Sequence, residues 1–127
     1  MKVLVVVDDA VSLEYLQRVC ASRSHEVIAC KDGAAALQLV KEHRPDCIVS
    51  DYCMPDVSGT DLCAAIRAKC ATEGWPRIYF VLSTAQDPVD ARAAAVAGAV
   101  DDFITKPFSP ESIAARLTLA SRILRLQ

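Results

Sequence analysis

Apolar residues fall along this chain in two alternating rhythms. Short, mostly apolar runs at Lys2 to Val7, Glu26 to Cys30, Cys47 to Val49, Arg77 to Leu82 and Asp102 to Thr105 read as strands, the central ones buried on both faces. Between them apolar residues return every three or four positions, as on one stripe of a helix. Val11 to Ser22 carries Leu13, Leu16 and Cys20 on such a stripe, Ala34 to His43 carries Ala36, Leu37 and Val40, and Thr60 to Ala71 carries Leu62 and Ile66. A fourth helix is predicted from Pro88 through the alanine-rich stretch Ala91 to Ala97, with Gly98 as its C-terminal cap. Ser109-Pro110-Glu111 opens a fifth, with serine at the cap and proline at the first position. Five strands alternating with five helices over short connections predict an α/β fold. It is a doubly wound five-stranded parallel sheet, one domain spanning residues 1–127.

Composition narrows the function more than the fold. The 127 residues are 53% hydrophobic and 24% charged with a net charge of −2, which provides no bulk attraction to nucleic acid or to an anionic membrane. No apolar run approaches a membrane span, and Met1-Lys2-Val3 enters a strand without the layout of a signal peptide, so the expected location is cytoplasmic. The six cysteines contain no C-x-x-C pair, and His25 and His43 complete no zinc pattern. The cysteines read as small hydrophobes, Cys53 excepted because it lies beside Asp51, and the two histidines as surface residues.

Candidate chemistry gathers at the strand ends, where ligands bind in open parallel sheets. The first strand ends in Asp8-Asp9, the third delivers Asp51 before Met54-Pro55 breaks the regular structure, the fourth ends in Ser83-Thr84 and the fifth in Lys106. Taken singly, Asp51 reads as a turn or cap residue, Lys106 as a solvated end-of-strand cation, Thr84 as a cap hydroxyl and Phe103 as core. The set says more. Three carboxylates at one edge repel unless a cation neutralises them, and oxygen ligands suit Mg2+. An ammonium and a hydroxyl add two donors for a developing oxyanion. Carboxylate nucleophile, metal, lysine and hydroxyl are the parts for phosphoryl transfer onto an aspartate. No glycine-rich loop precedes Lys106 as a Walker lysine requires, and two aspartates after the first strand carry the wrong charge for a dinucleotide loop.

Val7-Asp8-Asp9, Asp51-x-x-Met54-Pro55 with Gly59, Thr84-Ala85, Gly98-Ala99 and Lys106-Pro107-Phe108 resemble the response-regulator receiver domain of two-component signalling, over essentially the whole chain. The resemblance implies the flavodoxin-like (CheY-like) strand order 2-1-3-4-5. It implies that Asp51 accepts a phosphoryl group from a sensor histidine kinase or a phosphotransfer protein. Asp8, Asp9, Asp51 and the backbone carbonyl of Cys53 would hold Mg2+ (or Mn2+). Lys106, across a cis bond to Pro107, and Thr84 would bind the phosphoryl group, with Phe103 as switch aromatic and the fourth helix, fifth strand and fifth helix as output surface. Cys53 and Gln86 flank the site, and neither is a strong acid or base, so a persistent phosphoryl group is expected. On the last helix Ile113, Leu117, Ala120 and Leu124 form one apolar stripe and Leu119, Ile123 and Leu126 a second, which points to a dimer contact or a helix running into an output domain beyond Gln127. Two rivals stand beside the switch. An aspartate-nucleophile phosphatase would want a second acid where Cys53 stands; a degenerate receiver would dock partners without phosphorylation.

Overall fold

The computed structural model describes residues 1–84 and 100–126. Its centre is a five-stranded parallel sheet built from β1 (Lys2–Val6), β2 (Glu26–Cys30), β3 (Cys47–Asp51), β4 (Tyr79–Thr84) and β5 (Asp102–Thr105), in the order β2-β1-β3-β4-β5. α1 (Ala10–Ser22), α2 (Gly33–His43), α3 (Gly59–Glu73) and a C-terminal helix (Pro110–Arg125) complete the described elements. The fourth predicted helix, with Ala85, Gln86, Pro88 and Gly98-Ala99, lies outside the described residues, which therefore hold four of the five predicted helices.

Two cores sandwich the sheet. Val3, Val5, Val49, Val81 and Ile104 point to one face and pack with Leu13, Leu16, Ile113 and Leu117 from α1 and the C-terminal helix. Leu4, Val6, Ile48, Phe80 and Leu82 point to the other and meet Ala36, Val40, Leu62 and Ile66 of α2 and α3. Strict alternation within continuous apolar runs produces both layers, because successive side chains leave opposite faces. β2 is an edge strand and only half-buried.

Short polar residues fix where each helix starts. Asp9, Asp32, Ser58 and Ser109 each accept a hydrogen bond from a backbone N–H three residues on. Gly74 ends α3 at φ +67° with its N–H donating to the Cys70 carbonyl, so the helix runs past the predicted Ala71. β4 starts two residues later than predicted, at Tyr79, whose N–H donates to the Asp46 carbonyl. The polar pair Ser83-Thr84 thereby lies inside the strand.

Asp101, just before β5, holds the start of β4 and β5 together. Its carboxylate accepts from Phe80 N at 2.8 Å and from Arg67 at 2.6 Å and pairs with Arg77, while its own N–H donates to the Phe80 carbonyl at 2.9 Å. The side chain is 7% exposed, and a carboxylate that deep is retained only when charge and hydrogen bonds surround it. Sequence reasoning passed over Asp101, since only register shows what it faces.

On the C-terminal helix Ile113, Leu117 and Ala120 are buried. Of the second predicted stripe, Ile123 packs against the α1 side of the core, whereas Leu119 and Leu126 are exposed. No described helix is long and apolar enough to cross a membrane.

Five of the six cysteines are buried or half-buried, and burial pushes the Cys20, Cys30 and Cys63 thiols up to about 11. Cys53 is exposed. The thiolate is the nucleophile, so native protein treated with iodoacetamide should gain one adduct quickly, mapped to Cys53 by peptide mass. The others should react only on unfolding.

Candidate functional site

The carboxyl ends of β1, β3, β4 and β5 open on one edge of the sheet, and the side chains there have divided tasks. Asp51, the last residue of β3, is only 3% exposed. Lys106 Nζ lies 2.8 Å from its Oδ1, and the Lys106–Pro107 peptide is cis. Burial pushes the Asp51 carboxyl above the ordinary carboxylate value, the Lys106 ammonium pulls it part of the way back, and the charges of Asp8 and Asp9 push it up again. All three acids therefore share one electrostatic neighbourhood.

They do not form a closed cage. Asp9 Oδ2 accepts from Ser12 N at 3.0 Å and Ser12 Oγ at 2.7 Å, capping α1, and these bonds hold its carboxyl below the usual range. Asp8 is exposed. Among the described residues no three His, Cys, Asp or Glu side chains stand close enough to clasp a metal ion by themselves. Asp9 thus caps α1 while its charge and that of Asp8 reach Asp51. A hard cation that keeps several waters and needs only one or two carboxylates, as Mg2+ does, still suits this all-oxygen donor set. The acids that could hold it are Asp8, Asp9 and Asp51.

Thr84, at the tip of β4, is 3% exposed and its Oγ1 has no hydrogen-bond partner among the described residues. Buried hydroxyls are nearly always satisfied, and among the described residues Thr84 Oγ1 remains a donor without a partner, on the strand between those of Asp51 and Lys106. Phe103, on β5, is half-buried and packs against the α2/α3 side of the core.

Two residues outside the predicted set shape the loop after β3. Tyr52 N–H donates to the Ser83 carbonyl at 2.8 Å and Gly59 N–H to the Tyr52 carbonyl at 2.7 Å, drawing the loop back over the strand tip. A Cβ on Gly59 would overlap the Asp51 carbonyl oxygen and come within 2.6 Å of Leu82 Cδ1. Asp56 ties the loop to the start of α2, its two oxygens accepting from Gly33 N at 3.0 Å and Ala34 N at 2.9 Å. Those bonds hold its carboxyl below the ordinary range, as an anion at a helix N-terminus should be. A carboxyl depressed on folding stabilises above its unfolded value and loses that contribution as pH falls through its folded one. Asp56→Ala should therefore lower Tm by a few degrees at neutral pH, and the gap to wild type should close in acid. A thermal melt series against pH checks it. Sequence reasoning passed over Asp56, since an acid facing a Gly33 amide leaves no periodic signal.

Comparison with known proteins places this geometry. A family model described as the response regulator receiver domain matches residues 3–118. The response regulator MprA of Mycobacterium sp. (strain KMS) is 33% identical over 117 residues, 92% of this chain and 49% of MprA. The chain thus spans about half the length of that relative. A putative response regulator from Chloroflexus aurantiacus superposes with a TM-score of 0.85 at 28% identity, covering 94% of this chain and 95% of that one. The BeF3-activated DrrB receiver domain superposes at 0.82 with 26% identity, covering 95% and 97%.

Proposed function

The chain belongs to the response regulator receiver family of two-component signalling, and from that membership we propose that it is a phosphorylation-driven switch, one domain over residues 1–127, with Asp51 as acceptor. The observation that carries the proposal is the pairing of a nearly buried Asp51 with Lys106 Nζ at 2.8 Å, with the buried Thr84 hydroxyl, which has no partner among the described residues, at the tip of the next strand. A buried acid, one ammonium and one idle hydroxyl have little structural reason to share a strand edge, but they match the charge and acceptors of a transferred phosphoryl group.

In this reading a carboxylate oxygen of Asp51 attacks phosphorus, and the bond from phosphorus to the donor histidine nitrogen breaks with its electron pair. Lys106 meets the charge that builds on the phosphoryl oxygens, and Thr84 Oγ1 donates to one of them after transfer. Mg2+, held by Asp8, Asp9, Asp51 and the Cys53 carbonyl, would neutralise the crowded anions. The added phosphoryl charge at Asp51 and movement of Thr84 then bias the packing of Phe103 on β5. The donor is a sensor histidine kinase or a phosphotransfer protein. The output is a partner surface, a dimer contact through exposed Leu119 and Leu126, or a further domain such as the longer relatives accommodate.

Acetyl phosphate supplies the test. Incubated with Mg2+, the protein should gain one phosphoryl mass and stop, and chelation of the metal should prevent the gain. Continuous turnover of an aryl phosphate would favour a phosphatase instead, and absence of any gain with metal present would leave only a docking role.

A further inference from the structure

We propose that Ser83 is a positioning residue for Lys106, an inference that rests on the reading of Asp51 as acceptor. β4 lies between β3 and β5 in the sheet. In the ladder Asp51 stands opposite Ser83, and Ser83 opposite Ile104. By alternation Asp51 and Ser83 share the face of Val49, Val81 and Ile104, and Lys106, two residues beyond Ile104, continues it. The Lys106–Asp51 ion pair joins the tips of β5 and β3, so it has to cross β4, and the residue beneath the crossing is Ser83.

Ser83 is 1% exposed, and its Oγ has no hydrogen-bond partner among the described residues. Neighbouring β4 residues on the same face, Tyr79 and Val81, are large or branched and fully used by the core. A hydroxyl at this place does what an apolar residue would not: it offers an acceptor to an ammonium that has three hydrogens to give. In the resting state Nζ is held by Asp51 Oδ1. As an Asp51 oxygen bonds to phosphorus, Nζ turns from Oδ1 toward the phosphoryl oxygens, and Ser83 Oγ accepts one Nζ–H, keeping the ammonium over the strand tips. Ser83 acts through Lys106 and forms no bond to the transferred group.

Three variants of the whole chain separate size from hydroxyl: Ser83→Thr keeps the oxygen, Ser83→Val has the shape of threonine without it, and Ser83→Ala leaves the space open. With acetyl phosphate and Mg2+, Ser83→Ala and Ser83→Val should label roughly tenfold more slowly than wild type, the loss of one charge-assisted hydrogen bond. Ser83→Thr should stay within about twofold. Fluorine spectra of the beryllofluoride adducts, a readout apart from turnover, should group Ser83→Thr with wild type and set Ser83→Val apart. Removing a hydroxyl that has no partner among the described residues should leave the Tm of Ser83→Ala level or slightly raised. Wild-type labelling rates and spectra in Ser83→Ala and Ser83→Val would overturn the inference while leaving Asp51 as acceptor. So would equal slowing in Ser83→Thr and Ser83→Val, or a fall of several degrees in the Tm of Ser83→Ala. A wild-type protein that takes no phosphoryl group would instead bring down the acceptor reading and this inference with it.

Discussion

Asp51→Asn abolishes phosphoryl incorporation from acetyl phosphate, with a fall in labelling on the order of a thousandfold or more, because the amide oxygen is no nucleophile. Intact mass with and without Mg2+ reads the result, and a variant that still gained a phosphoryl group at the wild-type rate would move the acceptor elsewhere. The same substitution carries a second signature, of opposite sign, in stability. Burial pushes the Asp51 carboxyl up on folding, and Lys106 offsets that only in part. The folded state therefore holds this proton more tightly than the unfolded one. As pH rises from the ordinary carboxylate range through the raised folded value, the unfolded chain ionises first and stability falls. Asparagine escapes that penalty. In metal-free buffer Asp51→Asn should melt a few degrees above wild type at neutral pH, with the difference fading in acid. A protein that loses activity while gaining stability is the mark of a functional residue held in an unfavourable place.

Gly59→Ala is expected to destabilise the fold by about 2 kcal/mol, from overpacking of roughly 3 kcal/mol against a gain of about 1 kcal/mol in helix propensity. The added Cβ meets the Asp51 carbonyl and Leu82 Cδ1, which are backbone and core and have little room to retreat. Urea titration reads the loss as a lower midpoint with an unchanged slope. Labelling of the folded fraction should slow as well, since the obstructed atom belongs to the acceptor itself. Tolerance of alanine with wild-type stability would mean that the loop after β3 yields more easily than its hydrogen bonds to Tyr52 and Ser83 suggest.

The parts legible in the sequence were those written in periodicity or punctuation. Continuous apolar runs such as Val3 to Val7 specified two-sided strands, and Ser109-Pro110 marked the start of the last helix. The predicted site residues also come together where strand ends meet: Asp51 with Lys106, coupled to Asp8 and Asp9, with Thr84 at the next tip. What escaped was whatever depends on distance across the fold. That Asp9 spends its carboxylate on Ser12, that Asp56 faces the amides of α2, and that Asp101 gathers Arg67, Arg77 and Phe80 N are facts of register and loop path. Each of these acids looks alike along the chain. Ser83 shows the limit most plainly, since a serine inside an apolar run acquires its meaning only from the lysine that passes over it.

The two-sided burial of β1, β3 and β4 has a bearing on how such a chain diversifies. Substitutions on these strands answer to one core layer or the other, whereas the outward faces of the helices, with residues such as Val11, Glu14 and Arg18, answer to neither. Divergence on those helix faces can therefore proceed without disturbing either core layer, so the surface open to a partner can change while the sheet stays as it is.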